Sequence, residues 1–433
     1  MPNGRDNPTF SRVAWYGCLS FVADAPEDPE HDPMPLPPAG SQPSPHVHEP
    51  VVDLGSLLGR VSVERFVEAF TRKERLFVKA AHPRRAESLL PRWVGEKLLV
   101  SSELPEHRLT LLRDGDVIPR ARYRTEDGRV RPESLEALLA EGVSLVITGI
   151  DDELPAIGRL TAALERTLGH TVWCNAYLTH VRGGALAPHY DDHDVLVLQV
   201  HGKKRWFLHG SPSPSPIERS PEGRDFGPAR SDLLIESGDV LYLPRGEVHH
   251  TAVEGELSWH LTFGIDTRRG VDFVASLLER AAHDPAFRED LTRLGGSSAL
   301  HEKEADLKAR LHALVERASV VSYLERDDAE RPARASSQAV GTAPRLTDKS
   351  RVFPLIRRAF TLPEGEGAVG VRLAGRELVM PRAQLVLLGA LVAKGSATLT
   401  ELRAVSAEAE RAALETHVSE LVRLGLVEVE GGY

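Results

Sequence analysis

The chain is poor in cysteine, in positive charge and in long apolar runs, and each shortage removes a class of protein. Only two of its 433 residues are cysteines, Cys18 and Cys174. They lie far apart and build no disulfide framework, which fits a reducing, cytoplasmic compartment. Cys174 sits in an apolar stretch and reads as a small buried hydrophobe rather than a nucleophile. No apolar run is long enough to span a bilayer, although 41% of the residues are hydrophobic. Lys and Arg number 53 against 63 Asp and Glu, a formal net charge of −10. That sign argues against a general nucleic-acid binder. It is compatible with a basic protein partner, as it is with ordinary solubility.

What the chain does contain is unevenly spread. Its length predicts two or three domains. Residues 1–50 hold eleven of the thirty prolines, mixed with Asp, Glu and Ser. Such a stretch buries too little apolar surface to order itself, and a disordered segment is expected. Within it, Phe10 to Val22 is an apolar island carrying Trp15 and Tyr16. It lacks the basic start and long apolar core of a secretory signal. An interaction motif and a start codon set too far upstream both remain open for it.

From about Val51 the periodicities become regular. Ser62 is placed to cap a helix whose apolar face is Phe66, Val67 and Phe70. Strands are expected at Arg75–Lys79, Arg108–Arg113 and Ser144–Thr148, and helices at Leu89–Val100, from Pro132 to Gly142, and over Leu154–Leu168. Short strands then follow one another: Val172–Thr179, Pro188–Asp191, Val195–Val200, Lys203–Leu208, Asp232–Glu236, Val240–Leu243, His249–Val253 and Ser258–Ile265. A loop rich in Pro, Ser and Gly interrupts them at 211–228. This spacing predicts a double-stranded β-helix, the jelly roll of a cupin.

The chemistry is concentrated in that barrel. His189-Tyr190-Asp191 is a His-x-Asp step, and on an extended chain its two polar side chains project to the same side. His249 follows a turn, Pro244-Arg245-Gly246, that can fold back over them. Two imidazoles and one carboxylate on one face form the triad of non-haem Fe(II) oxygenases, with positions left open. A lone His-x-Asp is common by chance, so the surrounding motifs carry the weight. Lys204 comes fifteen residues after His189, past one strand and a turn at His201-Gly202. A short return strand brings it back level with the metal, with Lys203 and Arg205 facing away. A solvated basic run is the plainer reading of Lys203-Lys204-Arg205. Asp192, His193 and Asp194 could orient ligands, touch substrate or end a strand. His250 should face away from His249, and one of His260 and Thr262 could line the cavity.

Four motifs in order carry a resemblance: Asn175-Ala-Tyr177-Leu, Pro188-His-Tyr-Asp-Asp192, Leu198-Gln-Val-His-Gly202-Lys-Lys-Arg-Trp206, and Gly238-Asp-Val-Leu-Tyr242-Leu-Pro244-Arg-Gly246-Glu-Val-His249. Together they resemble the JmjC-type 2-oxoglutarate oxygenases, most of all the ribosomal oxygenase group, which hydroxylates ribosomal proteins. The resemblance implies that His189, Asp191 and His249 bind Fe(II), and that Lys204 holds the far carboxylate of 2-oxoglutarate. It implies further that Tyr177 assists Lys204, that Asn175 lines the same pocket and that O₂ is the second cosubstrate.

After Gly270 the pattern turns helical, over Val271–Ala282, Ala286–Leu294 and Glu302–Leu324, with a polar linker at 325–344. The resembling group has a helical dimerisation domain here, which implies a homodimer; amphipathic helices alone could equally lie on the barrel. Beyond Arg351, helices around Leu385–Val392, Leu399–Leu402 and Glu408–Leu424 precede a strand at Leu426–Val429. That order suggests a winged helix. From Pro381 onward five Lys and Arg face seven Asp and Glu, so a protein-binding or structural role suits it better than DNA.

The expectation is therefore an α+β chain in four parts. Residues 1–50 are a disordered Pro-rich segment and 51–268 a JmjC/cupin catalytic domain. Residues 269–345 are a helical dimerisation domain with linker, and 346–433 a winged-helix-like domain. The expected function is Fe(II)- and 2-oxoglutarate-dependent hydroxylation of an Arg or His side chain in a ribosomal protein. The same chemistry on a histone-like protein, a biosynthetic peptide or a small molecule stays open. So do a non-catalytic cupin binding module and a winged-helix DNA regulator with a sensing barrel.

Overall fold

Local signals start the first elements. Ser62 Oγ accepts the Arg65 N–H at 3.2 Å and caps the helix Val63–Arg72, which buries Phe66, Ala69 and Phe70. Lys73 ends it in the left-handed region at φ 56°. The molecule is described from a computed structural model that covers residues 54–430, apart from 81–82, 101–103, 114, 181–185, 222–223, 337, 339–344 and 407–410. The Pro-rich segment and its Phe10–Val22 island lie outside the described residues.

A nine-stranded antiparallel sheet lies between Leu76 and Asp266. Its strands are β1 (Leu76–Val78), β2 (Leu109–Arg113), β3 (Asp116–Val117), β4 (Ser144–Ile147), β5 (Thr171–His180), β6 (Asp194–Gly210), β7 (Ser231–Glu236), β8 (Val240–Leu243) and β9 (Val248–Asp266). They run in the order β1-β8-β6-β9-β5-β4-β2-β3, with β7 also on β6. β6 pairs with β9 along almost its whole length, and β6 changes its other neighbour midway. Val195–Leu198 lie against β8, and Lys203–Leu208 lie against β7. That exchange of partners folds one sheet into the double-stranded β-helix.

Three expectations are corrected here. His201-Gly202 is not a turn between two strands but lies within one bulged strand. Register slips fall between Gln199 and His201 and between Gly202 and Lys204. Gly202 sits at φ +68°, and a Cβ there would meet Leu257 O at 1.8 Å, so only glycine lets the strand bend this close to β9. His249–Val253 and Ser258–Ile265 are likewise two halves of β9. The strand expected at Pro188–Asp191 shrinks to a single bridge, His189 with His249.

β6 and β8 are buried on both faces. Leu196, Leu198, Val240 and Tyr242 enter the main core with the helices, while Val195, Val197, Leu241 and Leu243 join Trp206, Leu208 and Ile235 in a second core. Burial on both faces is why these strands read as unbroken apolar runs.

The helical regions also depart from expectation. Pro91 splits Leu89–Val100 into Pro83–Leu89 and Arg92–Val100, because a proline cannot continue the preceding helix. Of Ala286–Leu294 only Pro285–Arg288 is helical. Glu302–Leu324 is two helices, Gly296–Glu316 and Val320–Glu330, the second capped afresh by Ser319. Gly270–Ala281 is close to the expected span.

The C-terminal part has its own core and a three-stranded sheet in which β10 (Arg351–Pro354) is the middle strand. An unforeseen hairpin joins β11 (Ala368–Leu373) to β12 (Arg376–Pro381) through Ala374 and Gly375, both at positive φ. The outer partners of β10 are β13 (Ala397–Thr398) and β14 (Val427–Glu430). The helices are Arg382–Lys394, Leu399–Val405 and Leu414–Arg423. A buried ion cluster fastens this part to the barrel. Arg334 donates to Asp151 at 2.8 Å, and fully buried Glu165 faces Arg334, Arg357 and Arg358 at 3.5–3.8 Å.

Candidate metal and dicarboxylate site

His189, Asp191 and His249 converge, with one donor atom of each within 4.8 Å of the others. Among the described residues this is the one group of three or more His, Cys, Asp or Glu side chains that close. Backbone pairing puts them there. His189 and His249 exchange both backbone hydrogen bonds, at 3.1 and 2.8 Å, and their rings lie 4.6 Å apart. Gly246, at φ +87° in the turn before His249, donates its N–H to Asp191 O at 3.0 Å.

The donor set fits a divalent cation. His189 Nδ1 lies 2.8 Å from Ala187 O and His249 Nδ1 lies 3.0 Å from Glu247 O. Each carbonyl accepts a proton from Nδ1, so each ring keeps its Nε2 lone pair for a metal. His249 Nε2 is 3.9 Å from Asp191 Oδ2. Burial holds the His249 pKa down at about 4, with His189 adding to the effect, so the ring is neutral as a ligand must be. Burial works against the Asp191 carboxylate, but nearby positive charge, led by His193 and then His189, outweighs it and holds its pKa below the usual value.

At the other end of this region lies a buried ammonium. Lys204 is 1% exposed, and its Nζ has one hydrogen-bond partner among the described residues, Thr179 Oγ1 at 3.3 Å. Burial pushes its pKa down to about 7. Its neighbours face the other way: Lys203 pairs with Glu236, and Arg205 with Asp232 and Glu254. An enclosed cation without a carboxylate is expensive unless an anion joins it.

Rings connect the two ends. Trp206 lies 5.6 Å from His249 and 5.7 Å from His260, and His260 stacks flat on Tyr177 at 4.9 Å. Burial, helped by the Lys204 charge, keeps His260 neutral. Trp206 Nε1 and His260 Nδ1 are buried without a hydrogen-bond partner among the described residues. Tyr177 follows from the alternation of β5: Val172, Cys174, Ala176 and Leu178 enter the main core, which leaves Trp173, Asn175, Tyr177 and Thr179 on the other face. Burial, with the Asp191 charge adding to it, raises the Tyr177 hydroxyl to about 12. Asn175 accepts the Gly149 N–H at 3.0 Å.

The remaining sequence candidates separate cleanly. His250 faces away, stacked on Phe207 and hydrogen-bonded to His209 at 3.0 Å. Asp194 is fully buried and binds Lys73, Tyr242 Oη and the Arg245 N–H, which anchors the turn before His249. Asp192 and His193 pair at 3.2 Å beside Arg219 and Trp173. Sequence reasoning gave no role to Thr179 or Trp206, whose positions depend on strand pairing.

Residues 152–273 match the JmjC domain family. The chain is 28% identical over 241 residues to the bifunctional lysine-specific demethylase and histidyl-hydroxylase NO66 of Drosophila mojavensis; the match covers 53% of this chain and 27% of that protein. The Drosophila yakuba protein of the same name is 30% identical over 219 residues, 48% of this chain and 31% of the relative. The chain thus spans about a third or less of these curated relatives. Escherichia coli ycfD shares the fold, at a TM-score of 0.53 and 17% identity over 86% of this chain and 98% of that one. A structure of YcfD, a ribosomal oxygenase, in complex with cobalt and 2-oxoglutarate aligns with a TM-score of 0.52 at 17% identity, over 86% of this chain and 99% of that one.

Proposed function

We propose that the chain, whose residues 152–273 match the JmjC domain family, is an Fe(II)- and 2-oxoglutarate-dependent protein hydroxylase acting on a ribosomal protein. The single observation that carries the reading is the pairing of a two-His, one-carboxylate triad with a buried lysine that meets no carboxylate among the described residues, with packed rings between them. A metal centre alone would need only the first; a dicarboxylate cosubstrate accounts for the second.

His189, Asp191 and His249 would hold the metal. Bound Fe(II), with 2-oxoglutarate and O₂, supplies an oxidation that releases succinate and CO₂ and places one oxygen atom on a substrate carbon. Lys204, assisted by the Thr179 hydroxyl, binds the distal carboxylate and thereby fixes which end of the cosubstrate meets the triad. Tyr177, Asn175, Trp206 and His260 wall the cavity between these ends. Trp206, nearly fully buried, excludes water from the ligand side of His249.

The protein substrate is inferred from the relatives, named a histidyl-hydroxylase and a ribosomal oxygenase. A net charge of −10 favours encounter with basic ribosomal proteins. The likeness to a bacterial ribosomal oxygenase favours a cytoplasmic location. Residues 51–268 are the catalytic domain and 346–433 a winged-helix-like, protein-binding unit. Residues 269–345 provide a homodimer contact, for which the exposed Val271, Val274 and Leu278 supply an apolar stripe.

The test is incubation of the purified chain with Fe(II), 2-oxoglutarate and a ribosomal protein mixture, followed by peptide mass mapping. One peptide gaining a single oxygen, dependent on both additions, is expected. Succinate formation with no such peptide would redirect the reading to a different substrate class.

A further inference from the structure

The short segment bearing two of the three triad residues is gripped along both of its edges. On the inner edge His189 pairs with His249, and Asp191 O accepts from Gly246. In an extended chain the next residue turns its N–H and C=O to the opposite edge. Tyr190 does so, and both groups meet one residue. The Tyr190 N–H donates to Ser220 Oγ at 3.2 Å, and Tyr190 O accepts the Ser220 N–H at 3.2 Å.

Ser220 thus imitates one residue of a third strand, its hydroxyl standing where that strand's carbonyl would be. The Tyr190 side chain is 6% exposed and meets Phe226 edge-on at 5.9 Å. The loop that carries Ser220 also touches the His249 turn: a Cβ on Gly246 would fall 2.5 Å from Ser213 O and 3.0 Å from Pro216 Cδ. The neighbours of Ser220 cannot replace it. Pro221 has no N–H, and Arg219 has no acceptor on its side chain.

We propose that Ser220 is a positioning residue for the metal centre. By holding Tyr190 from outside, it fixes the spacing of His189 and Asp191 and so the geometry that they offer a divalent cation. The inference rests on reading the triad as a metal site. The segment has a single β-bridge rather than a ladder behind it. Loss of the outer grip therefore leaves residues 188–191 free to twist about that bridge.

Co(II) binding to the full-length, metal-free protein tests this, because its visible absorption bands report ligand geometry without turnover. Ser220→Ala should weaken Co(II) binding about tenfold, as losses of groups supporting metal ligands do, and should shift the bands. Ser220→Thr, which keeps the hydroxyl, should restore both. His189→Ala sets the baseline for a broken triad. If Ser220→Ala does not fold, Ser220→Cys, a weaker acceptor, carries the same comparison. Wild-type affinity and bands in the alanine variant, whatever its melting temperature, overturn the proposal. A wild-type chain that binds no Co(II) overturns the metal-site reading itself, and the role of Ser220 with it.

Discussion

The barrel and the helical segment that follows it bury their apolar side chains in opposite ways. In the barrel, residues of β6 and β8 are covered on both faces by the same chain, and the imidazoles of His189 and His249 are fixed at Nδ1 by carbonyls two residues back. Helices Gly296–Glu316 and Val320–Glu330 contain no buried residue at all. Leu311, Val315, Val320, Val321 and Leu324 are 38–65% exposed, as are Val271, Val274 and Leu278 on the preceding helix. A barrel position is explained by its neighbours in one chain. The apolar stripe on these helices meets no covering surface among the described residues, and the proposed homodimer contact would supply one.

The largest expected effect lies on the barrel side. His189→Ala should abolish succinate formation and the rise in melting temperature that a divalent metal gives the native chain. Coupled-assay turnover together with thermal shift, with and without Mn(II), reads both. Full turnover in this variant would remove His189 from the ligand set and weaken the contrast at its strongest point.

Lys204 offers the next largest effect, and one of unusual sign. A lysine titrates near 10.5 in water, and burial lowers this one to about 7. The folded chain therefore binds the proton less tightly than the unfolded chain does. The cost to stability is full below pH 7 and fades as pH rises from 7 towards 10.5. Lys204→Met should accordingly gain roughly 1–4 kcal/mol at pH 6 in urea unfolding and lose that pH dependence. It should also weaken 2-oxoglutarate binding about 100-fold. In the native chain, the carboxylate should draw a proton onto Lys204, so affinity falls as pH rises above 7. Calorimetry in two buffers of different ionisation enthalpy measures that uptake at pH 8. Absence of uptake would mean that the ammonium is already charged or lies elsewhere.

The same contrast governs what could be read from sequence alone. The triad was legible because His189, Asp191 and His249 sit in short motifs that fix local direction. Lys204 was legible as inward-facing because strand alternation is strict, although the path to it was misread. Gly202 looked like a turn residue, whereas its positive φ creates a bulge that lets β6 run on against Leu257. Thr179 and Trp206 escaped because a strand's partners are set by register, which no single segment contains. The break at Arg317–Ser319 escaped because helical periodicity continues across it. Ser319 recaps the chain without disturbing the leucine spacing.

On the helical side the expected effect is smaller in energy and different in kind. Val274→Asp with Leu278→Asp should convert a dimer to a monomer in sedimentation equilibrium. It should leave the Kd for 2-oxoglutarate within about twofold, since these residues are exposed and lie on a helix outside the barrel strands. Loss of cosubstrate binding would show that the helical segment and the barrel are not separable.

The smallest effect sharpens the comparison to adjacent residues of one strand. Lys203 precedes Lys204 in β6, but its side chain is 53% exposed and pairs with Glu236 at 3.0 Å in solvent. Glu236 is also paired with Lys79 at 2.8 Å, so it keeps one cation when Lys203 is removed. Exposed pairs of this kind contribute at most about 1 kcal/mol, and salt screens them further. Lys203→Ala should thus change urea stability by less than about 0.5 kcal/mol and leave 2-oxoglutarate affinity untouched, at any pH from 6 to 9. Two lysines one position apart would then differ by about two orders of magnitude in their effect on the cosubstrate. A comparable loss in both variants would mean that the basic run acts through general charge, and that strand alternation does not sort inside from outside here.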